Sequence, residues 1–103
     1  MTLQDIKNRC EQYNLKYQYG FMEDKVSPPY LNAVVADSNN FLADCIVYKK
    51  IDSIELTYTY KVKDLETEEI IENNLLEGIV WRKGDEAYFS DDNVWQVTYY
   101  FNI

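Results

Sequence analysis

The residues from Ser53 to Lys63 alternate strictly between polar and apolar side chains, and this alternation constrains the fold more than any other feature of the chain. The apolar positions are Ile54, Leu56, Tyr58, Tyr60 and Val62. Successive side chains of a strand point to opposite faces, so the pattern predicts a long strand with one buried face and one face in water. A sheet that is wet on one face is typical of antiparallel packing.

Two helices are predicted on either side of the first strands. Thr2 and Asp64 are favourable N-cap residues, and Asn14 and Gly78 suit the left-handed conformation that ends helices. On each predicted helix, residues three and four positions apart form a stripe that would face the core. The stripe of the first helix consists of Leu3, Ile6, Cys10 and Tyr13, and that of the second helix consists of Thr67, Ile70, Ile71, Asn74 and Leu75. The second stripe leaves Leu65 and Leu76 outside it, where either the helix ends or a partner would cover them.

Shorter segments predict the remaining strands of the sheet. They span 15–19, 30–36, 45–48, 79–83, 88–89 and the C-terminal residues, with Gly84-Asp85-Glu86 and Asp91-Asp92-Asn93 as turns. This order predicts one α+β domain over residues 1–103, with an antiparallel or mixed sheet of about five strands and both helices on one face. The other face is then left to solvent or to neighbouring molecules.

The composition favours contact with other proteins over proton chemistry. The chain has 10 tyrosines and no histidine, the side chain that most often serves as general acid or base. Its two cysteines, Cys10 and Cys45, lie too far apart for a zinc motif and are expected to be reduced thiols. The acidic turn at 91–93 lacks a calcium-binding loop. We therefore predict no enzyme, no metal site and no cofactor.

The charge argues against two classes of partner. A net charge of −8 repels phosphate backbones, so specific nucleic-acid binding is not expected. No apolar run approaches the roughly 18 residues of a membrane span. Other proteins are the remaining class of partner. Some apolar residues lie on the otherwise polar sides of predicted helices and strands. Those candidates for an interface are Tyr30, Val94, Tyr100, Leu65 and Leu76.

Several segments together resemble small neck proteins of siphophages and prophages of Gram-positive hosts. They are Asn39-Asn40-Phe41, Ala43-Asp44, Val47-Tyr48, Ile54-Glu55-Leu56, the 65–76 helix and the ending Trp95-Gln96-Val97-Thr98-Tyr99-Tyr100-Phe101. The resemblance implies a tail-completion or tail-terminator-like component, made in the host cytoplasm and located in the virion. It implies a ring, a hexamer, that caps the tail tube and joins it to the head connector. It supplies no catalytic residues, and the basic pair Lys49-Lys50 matches a commonly basic stretch.

A ring of this kind would have an acidic inner surface, because like charge lets DNA pass without adhering. The acids predicted to face the lumen are Glu66, Glu68, Glu69 and Glu72. An alternative function is that of an acidic DNA-mimic inhibitor of a host or defence protein. That alternative requires carboxylates in rows spaced like phosphates, whereas the acids of this chain concentrate on one helix and in turns.

Overall fold

Helices and strands are segregated along the described chain, as expected of an α+β fold: one helix precedes a run of strands, and a second helical region precedes the last strands. The computed structural model describes residues 2–20, 26–38, 41–43, 46–49 and 52–103. Within these ranges the elements are α1 (Leu3–Gln12), β1 (Tyr17–Tyr19), β2 (Tyr30–Ser38), β3 (Phe41–Ala43), β4 (Ile46–Lys49), β5 (Asp52–Tyr60), α2 (Leu65–Glu69), a π-helical segment (Ile70–Leu75), β6 (Trp81–Lys83), β7 (Ala87–Phe89) and β8 (Val94–Asn102). Cys45 and the Asn39-Asn40 pair lie outside the described residues.

Six of these strands form one mixed, open sheet. Its order is β1-β2-β5-β8-β6, and β7 also pairs with β8. The β1–β2 pair is parallel, and the pairs formed by β5 and β8 are antiparallel. The predicted α+β class with a mixed sheet is confirmed. The two remaining strands, β3 and β4, pair with each other in a separate hairpin.

The helix ends follow the capping chemistry that the sequence predicts. The Thr2 hydroxyl accepts a hydrogen bond from the Asp5 amide at 3.2 Å, and the Asp5 carboxylate accepts one from the Thr2 amide at 2.9 Å. The Asp64 carboxylate accepts from the Glu66 amide at 3.1 Å. These bonds satisfy amides that have no partner within the helix. Gly78 has a φ of +81°, so it ends the second helical region in the left-handed conformation.

One buried cluster joins both helical regions to the three central strands. Helical side chains reach alternate residues of β2, β5 and β8, as the period of two requires. The cluster contains Ile6, Cys10, Leu31, Ala33, Ile54, Leu56, Tyr58, Tyr60, Ile71, Leu75, Leu76, Val97, Tyr99 and Phe101. The Arg9 guanidinium strengthens this arrangement by donating to the carbonyls of Leu75 and Glu77 at 2.9 and 3.1 Å. We name this side of the sheet the core face and the opposite side the outer face.

The second helical region leaves the α-helical period after Glu69, and this corrects the prediction for Leu76. The amide of Leu76 donates to the carbonyl of Ile71 at 3.0 Å, which is the i to i+5 bond of a π-helix. The wider turn brings Leu76 into line with Ile71 and Leu75, and its exposure falls to 1%. An α-helical projection had placed this leucine outside the stripe. It belongs to the core and is not available to a partner.

The C-terminal hairpin is longer than the sequence indicates. Gly84-Asp85-Glu86 is not a turn, because β6 and β7 run in the same direction along β8. Their register differs by one residue, since Lys83 pairs with Tyr99 and Ala87 with Gln96. One strand therefore carries an extra residue, as in a β-bulge. The chain reverses only at 90–93, where Asn93 has a φ of +53°.

Candidate functional site

A network of charged side chains ties the second helical region to the sheet. The Glu68 residue is 4% exposed, and its carboxylate contacts the ammonium groups of Lys63 at 2.9 Å and Lys83 at 3.1 Å. Lys83 also contacts Glu72 at 2.9 Å, and Lys63 contacts Glu86. The lysines come from the segment after β5 and from β6. A buried carboxylate is expected to be paired in this way, because burying an unpaired charge is costly.

This network corrects the prediction that four glutamates share an open acidic face. Glu66 and Glu69 are exposed, but Glu68 is buried and Glu72 is half-buried. The last two point toward lysines that sequence reasoning did not connect to the helix. Only Glu66 and Glu69 remain available to line a lumen or to meet a partner.

Neighbouring charges shift the pKa of the network's members. Burial would raise the pKa of Glu72, but hydrogen bonds from Tyr99 and Lys83 hold it below its ordinary value. The Lys63 ammonium lowers the pKa of Glu86. Hydrogen bonds to Glu72 and Glu68 raise the pKa of Lys83 despite the opposing effect of burial. All three residues therefore keep their charge across the neutral range, as a structural network requires.

The predicted interface residues do not form one surface. Tyr30 and Tyr100 are half-buried on the outer face, where the Tyr100 ring lies 4.3 Å from the guanidinium carbon of Arg82. Leu65 is 66% exposed. The prediction for Val94 is wrong, because it is 6% exposed and pairs with Phe89 across the hairpin. Directly paired side chains lie against each other, so Phe89 covers Val94 on one side.

The β3–β4 hairpin is a two-stranded sheet separate from the main sheet. Its backbone registers pair Leu42 with Val47 and Ala43 with Ile46. Among the described strands, neither β3 nor β4 pairs with a strand of the main sheet. An isolated two-stranded hairpin is at best marginally stable in water. We name the two strands β3 and β4 together the hairpin arm.

A second exposed feature lies at the end of the sheet where β5 finishes. The rings of Tyr88 and Trp95 are 5.1 Å apart and tilted by 52°. Tyr60, the last residue of β5, pairs with Trp95, and Lys63 contacts Glu86 next to β7, so the segment after β5 lies beside this hairpin tip. We name the large exposed apolar residues here the aromatic end. They are Val62, Leu65, Tyr88 and Trp95, whereas the exposed Phe89 pairs with Val94 on the opposite face of the hairpin.

The aromatic end adjoins a cleft and a set of acids. The cleft has a volume of about 340 Å³, and both apolar and charged residues line it: Pro28, Pro29, Tyr58, Tyr60, Val62, Lys61, Lys63 and Asp64. Exposed carboxylates surround the end, against the two lysines Lys61 and Lys63. The acids are Asp64, Glu66, Asp85, Glu86, Asp91 and Asp92, which we name the acidic rim. Exposed aromatics within a polar rim are the usual composition of a protein-binding surface.

The sequence analysis did not predict the hairpin arm or the aromatic end, although the sequence contains a signal for each. Tyr88 and Phe89 precede the acidic turn with only Ser90 between, and Trp95 follows the turn after one residue. Strand residues next to a hairpin turn extend past the helices that cover a sheet, so their apolar side chains stay exposed. For the hairpin arm, residues 45–48 were expected to be extended, but their pairing with β3 was not recognised.

The remaining chemistry of the described residues is structural. Cys10 is a free, fully buried thiol, and burial raises its pKa to about 12, so it is a thiol and not a thiolate at neutral pH. The described part of the chain contains no group of three or more acids or cysteines that could hold a metal ion. In the same part of the chain, every helix is too short or too polar to cross a bilayer.

Comparison with known proteins does not assign the chain to a family. No model of a known protein family matches the sequence, and no curated protein matches it significantly.

Proposed function

We propose that this chain is a structural protein of the phage head–tail interface, similar in role to tail-completion or tail-terminator proteins. It would assemble as a ring, a hexamer by the resemblance, on the end of the tail tube and would be located in the virion. Its partners would be copies of itself and the tube or connector proteins. The observation that carries the proposal is the hairpin arm, whose two strands pair with each other and, among the described strands, with none of the main sheet.

An arm of this kind suits a subunit of an assembly. A marginal hairpin gains stability when another surface covers it. In a ring, every subunit offers one surface and receives a different one, so both an arm and a receiving surface are needed on each copy. The exposed aromatic end supplies a candidate receiving surface. Both features support a chain that completes its structure on assembly.

The charge supports the same role. A net charge of −8 disfavours adhesion of DNA to a passage that DNA must traverse. Glu66 and Glu69 are the exposed members of the predicted lumen set, so they are the candidates for such a wall. Glu68 and Glu72 instead contribute to the network that positions the helix.

The network also bears on the DNA-mimic alternative. A mimic needs free carboxylates in ordered rows, because a basic partner must reach them. The Glu68 carboxylate is buried between two lysines, and Oε2 of Glu72 accepts bonds from Lys83 and Tyr99. The helix that carries the densest acids therefore offers only part of them to a partner. For this reason we prefer assembly.

Sedimentation with tail tubes tests the proposed function. Purified protein is mixed with siphophage tail tubes that lack their terminator and is compared with protein alone over a wide concentration range. We expect the chain to co-sediment with the tubes and to halt their further polymerisation. A protein that neither binds the tubes nor alters their length would contradict the proposal. Capture of a basic nuclease or regulator in place of tubes would favour the mimic.

A further inference from the structure

We infer that β7, an edge strand of the main sheet, binds an extended basic segment of another protein by strand addition. The inference goes beyond the proposed function, because it assigns a partner by its chemistry and does not depend on a role in a phage. The partner segment would lie alongside β7 and continue the sheet by one strand. Three observations carry it: the open edge, the apolar side chains on both faces of β7 and the unpaired acids at its two ends.

The first observation is that β7 is open on one side. Among the described strands it pairs only with β8, from Ala87 opposite Gln96 to Phe89 opposite Val94. All 3 residues of β7 are exposed. In an edge strand, the N–H and C=O groups that point away from the sheet have no ladder partner. Another extended chain can therefore pair with them and gain main-chain hydrogen bonds.

The second observation is that β7 lacks the side chains that usually protect an edge. Native edge strands are often shielded by lysine or proline, and β7 contains neither. Tyr88 is 50% exposed on the core face, where it pairs with Trp95 and the two ring centroids are 5.1 Å apart. Phe89 is 46% exposed on the outer face.

These two rings determine what kind of strand fits beside β7. The side chains of an added strand alternate between the same two faces of the sheet. A segment that alternates apolar and basic residues would therefore pack apolar side chains on one ring. On the other face, the apolar stems of its lysines or arginines would cover the second ring.

The third observation is that both ends of β7 carry unpaired acids. Asp85 precedes β7, Asp91 and Asp92 follow it in the turn, and all three are exposed. Within the described ranges none of these three forms an ion pair, whereas Glu86 contacts Lys63. Complementary charge directs association, so a basic segment is the partner that this edge favours.

The same acids argue against a second copy of this chain as the occupant. In an antiparallel pair of β7 strands, Asp85 of each copy would approach Asp91 of the other, and like charges repel. The acids therefore disfavour pairing between copies while they leave the edge accessible to a basic chain. An anionic membrane is disfavoured for the same reason.

A titration with synthetic peptides, followed by NMR, tests the inference. The probe is a short peptide of alternating lysine and valine with blocked ends. We expect it to bind at low salt with a dissociation constant below about 1 mM and to slow the hydrogen exchange of backbone amides in β7. The same peptide methylated on its backbone nitrogens keeps its charge but cannot donate hydrogen bonds to the edge. It should bind about tenfold more weakly.

Substitution of the acids next to β7 tests the role of charge. We expect Asp91→Asn with Asp92→Asn to weaken binding of the lysine–valine peptide about fivefold. Glu11→Gln with Glu77→Gln is the matched control, because it changes the net charge equally at exposed positions outside β7 and its flanking turn. The control should change the affinity less than about twofold. Circular dichroism checks that each variant is folded.

Several results would overturn the inference. They are no binding of the lysine–valine peptide, equal binding of its methylated form, and equal binding of a glutamate–valine peptide. Dimerisation that protects the β7 amides in place of the peptide would make a second copy the occupant and would also overturn it. If the chain binds tail tubes but not the peptide, the inference is wrong while the proposed function stands. If the peptide binds as expected but the tubes do not, the inference stands and the proposed function fails.

Discussion

The Tyr99 hydroxyl donates a 2.7 Å hydrogen bond to Oε2 of Glu72. Tyr99 is fully buried in β8, and Glu72 lies in the π-helical segment, so the bond joins the sheet to the helix. The same oxygen accepts a bond from Lys83 at 2.9 Å. Hydrogen bonds to an ionised acceptor are stronger than those between neutral groups. Because both bonds to this oxygen are made within the chain, the role of Glu72 is to position the helix on the sheet.

Removing the Tyr99 hydroxyl should therefore lower stability. We expect Tyr99→Phe to reduce the free energy of unfolding by about 1.5 kcal/mol, since the lost bond reaches a charged acceptor but Lys83 still contacts it. Urea denaturation followed by circular dichroism measures the change. Tyr88→Phe is the matched control, because its hydroxyl donates to Asn93 in an exposed turn at 2.8 Å. The control should cost about 0.5 kcal/mol, and equal losses in both variants would contradict the argument.

Neutralising Glu68 should cost more than neutralising its neighbour on the same helix. Glu68→Gln removes the charge that two lysines share, and we expect a loss of about 2 kcal/mol in the free energy of unfolding. The loss stays below that of a fully buried pair because the lysine side chains are partly exposed. Glu69→Gln changes the same group at an exposed position and should cost less than about 0.5 kcal/mol. Similar values for the two variants would show that the network is not stabilising.

The network also predicts how stability depends on pH. The pKa values of Glu72 and Glu86 are lower in the folded chain than their ordinary value of 4.5, so their contribution is present above pH 4.5 and is lost as the pH falls through the folded pKa. The pKa of Lys83 is raised above 10.5, so its contribution is complete below pH 10.5 and is lost at higher pH. Thermal denaturation across this range should show a plateau between the two limits. Glu72→Gln should flatten the acidic limb, and an unchanged limb would contradict the assignment.

The sequence predicts local structure well where a single residue decides it. Thr2 and Asp64 cap their helices, and Asn14 and Gly78 adopt the left-handed conformation, because each outcome depends on neighbours within a few residues. The alternation from Ser53 predicts β5, although the strand ends at Tyr60 and leaves Val62 80% exposed. Period-two patterning fixes which residues face the core, but it does not mark where pairing stops.

The candidate surfaces depend on contacts that the sequence does not contain. Glu68 turns inward because Lys63 and Lys83 meet it from two different parts of the chain. Leu76 enters the core because the helix widens into a π-helical turn, for which we see no local signal. The acidic helix therefore appeared more open to partners than it is. Trp95 is exposed because the helices that cover the core face do not extend as far as this residue. The position at which they stop covering the sheet depends on how the elements pack, which the sequence pattern does not show.

The contact between Gly84 and Tyr100 gives a last prediction, which assigns the outer-face tyrosine a role within its own chain. A Cβ at Gly84 would lie 3.0 Å from Cε2 of Tyr100 and 3.2 Å from the carbonyl oxygen of Thr98. The tyrosine ring thus lies over the backbone of the glycine, next to Arg82. We expect Gly84→Ala to reduce the free energy of unfolding by about 1 kcal/mol, because the ring must move by a few tenths of an ångström.

Gly78→Ala is the control that distinguishes the steric crowding at Gly84 from the effect of backbone strain. Gly78 has open space around it but a φ of +81°, so alanine there should cost about 1 kcal/mol through its backbone alone. In a Tyr100→Ala background the cost of Gly84→Ala should fall, leaving only the approach to the Thr98 carbonyl, while the cost of Gly78→Ala should not change. Urea denaturation of this double-mutant cycle measures the coupling directly. If the cost of Gly84→Ala is the same with and without the Tyr100 ring, the ring does not restrict this position, and Tyr100 is free to contact a partner.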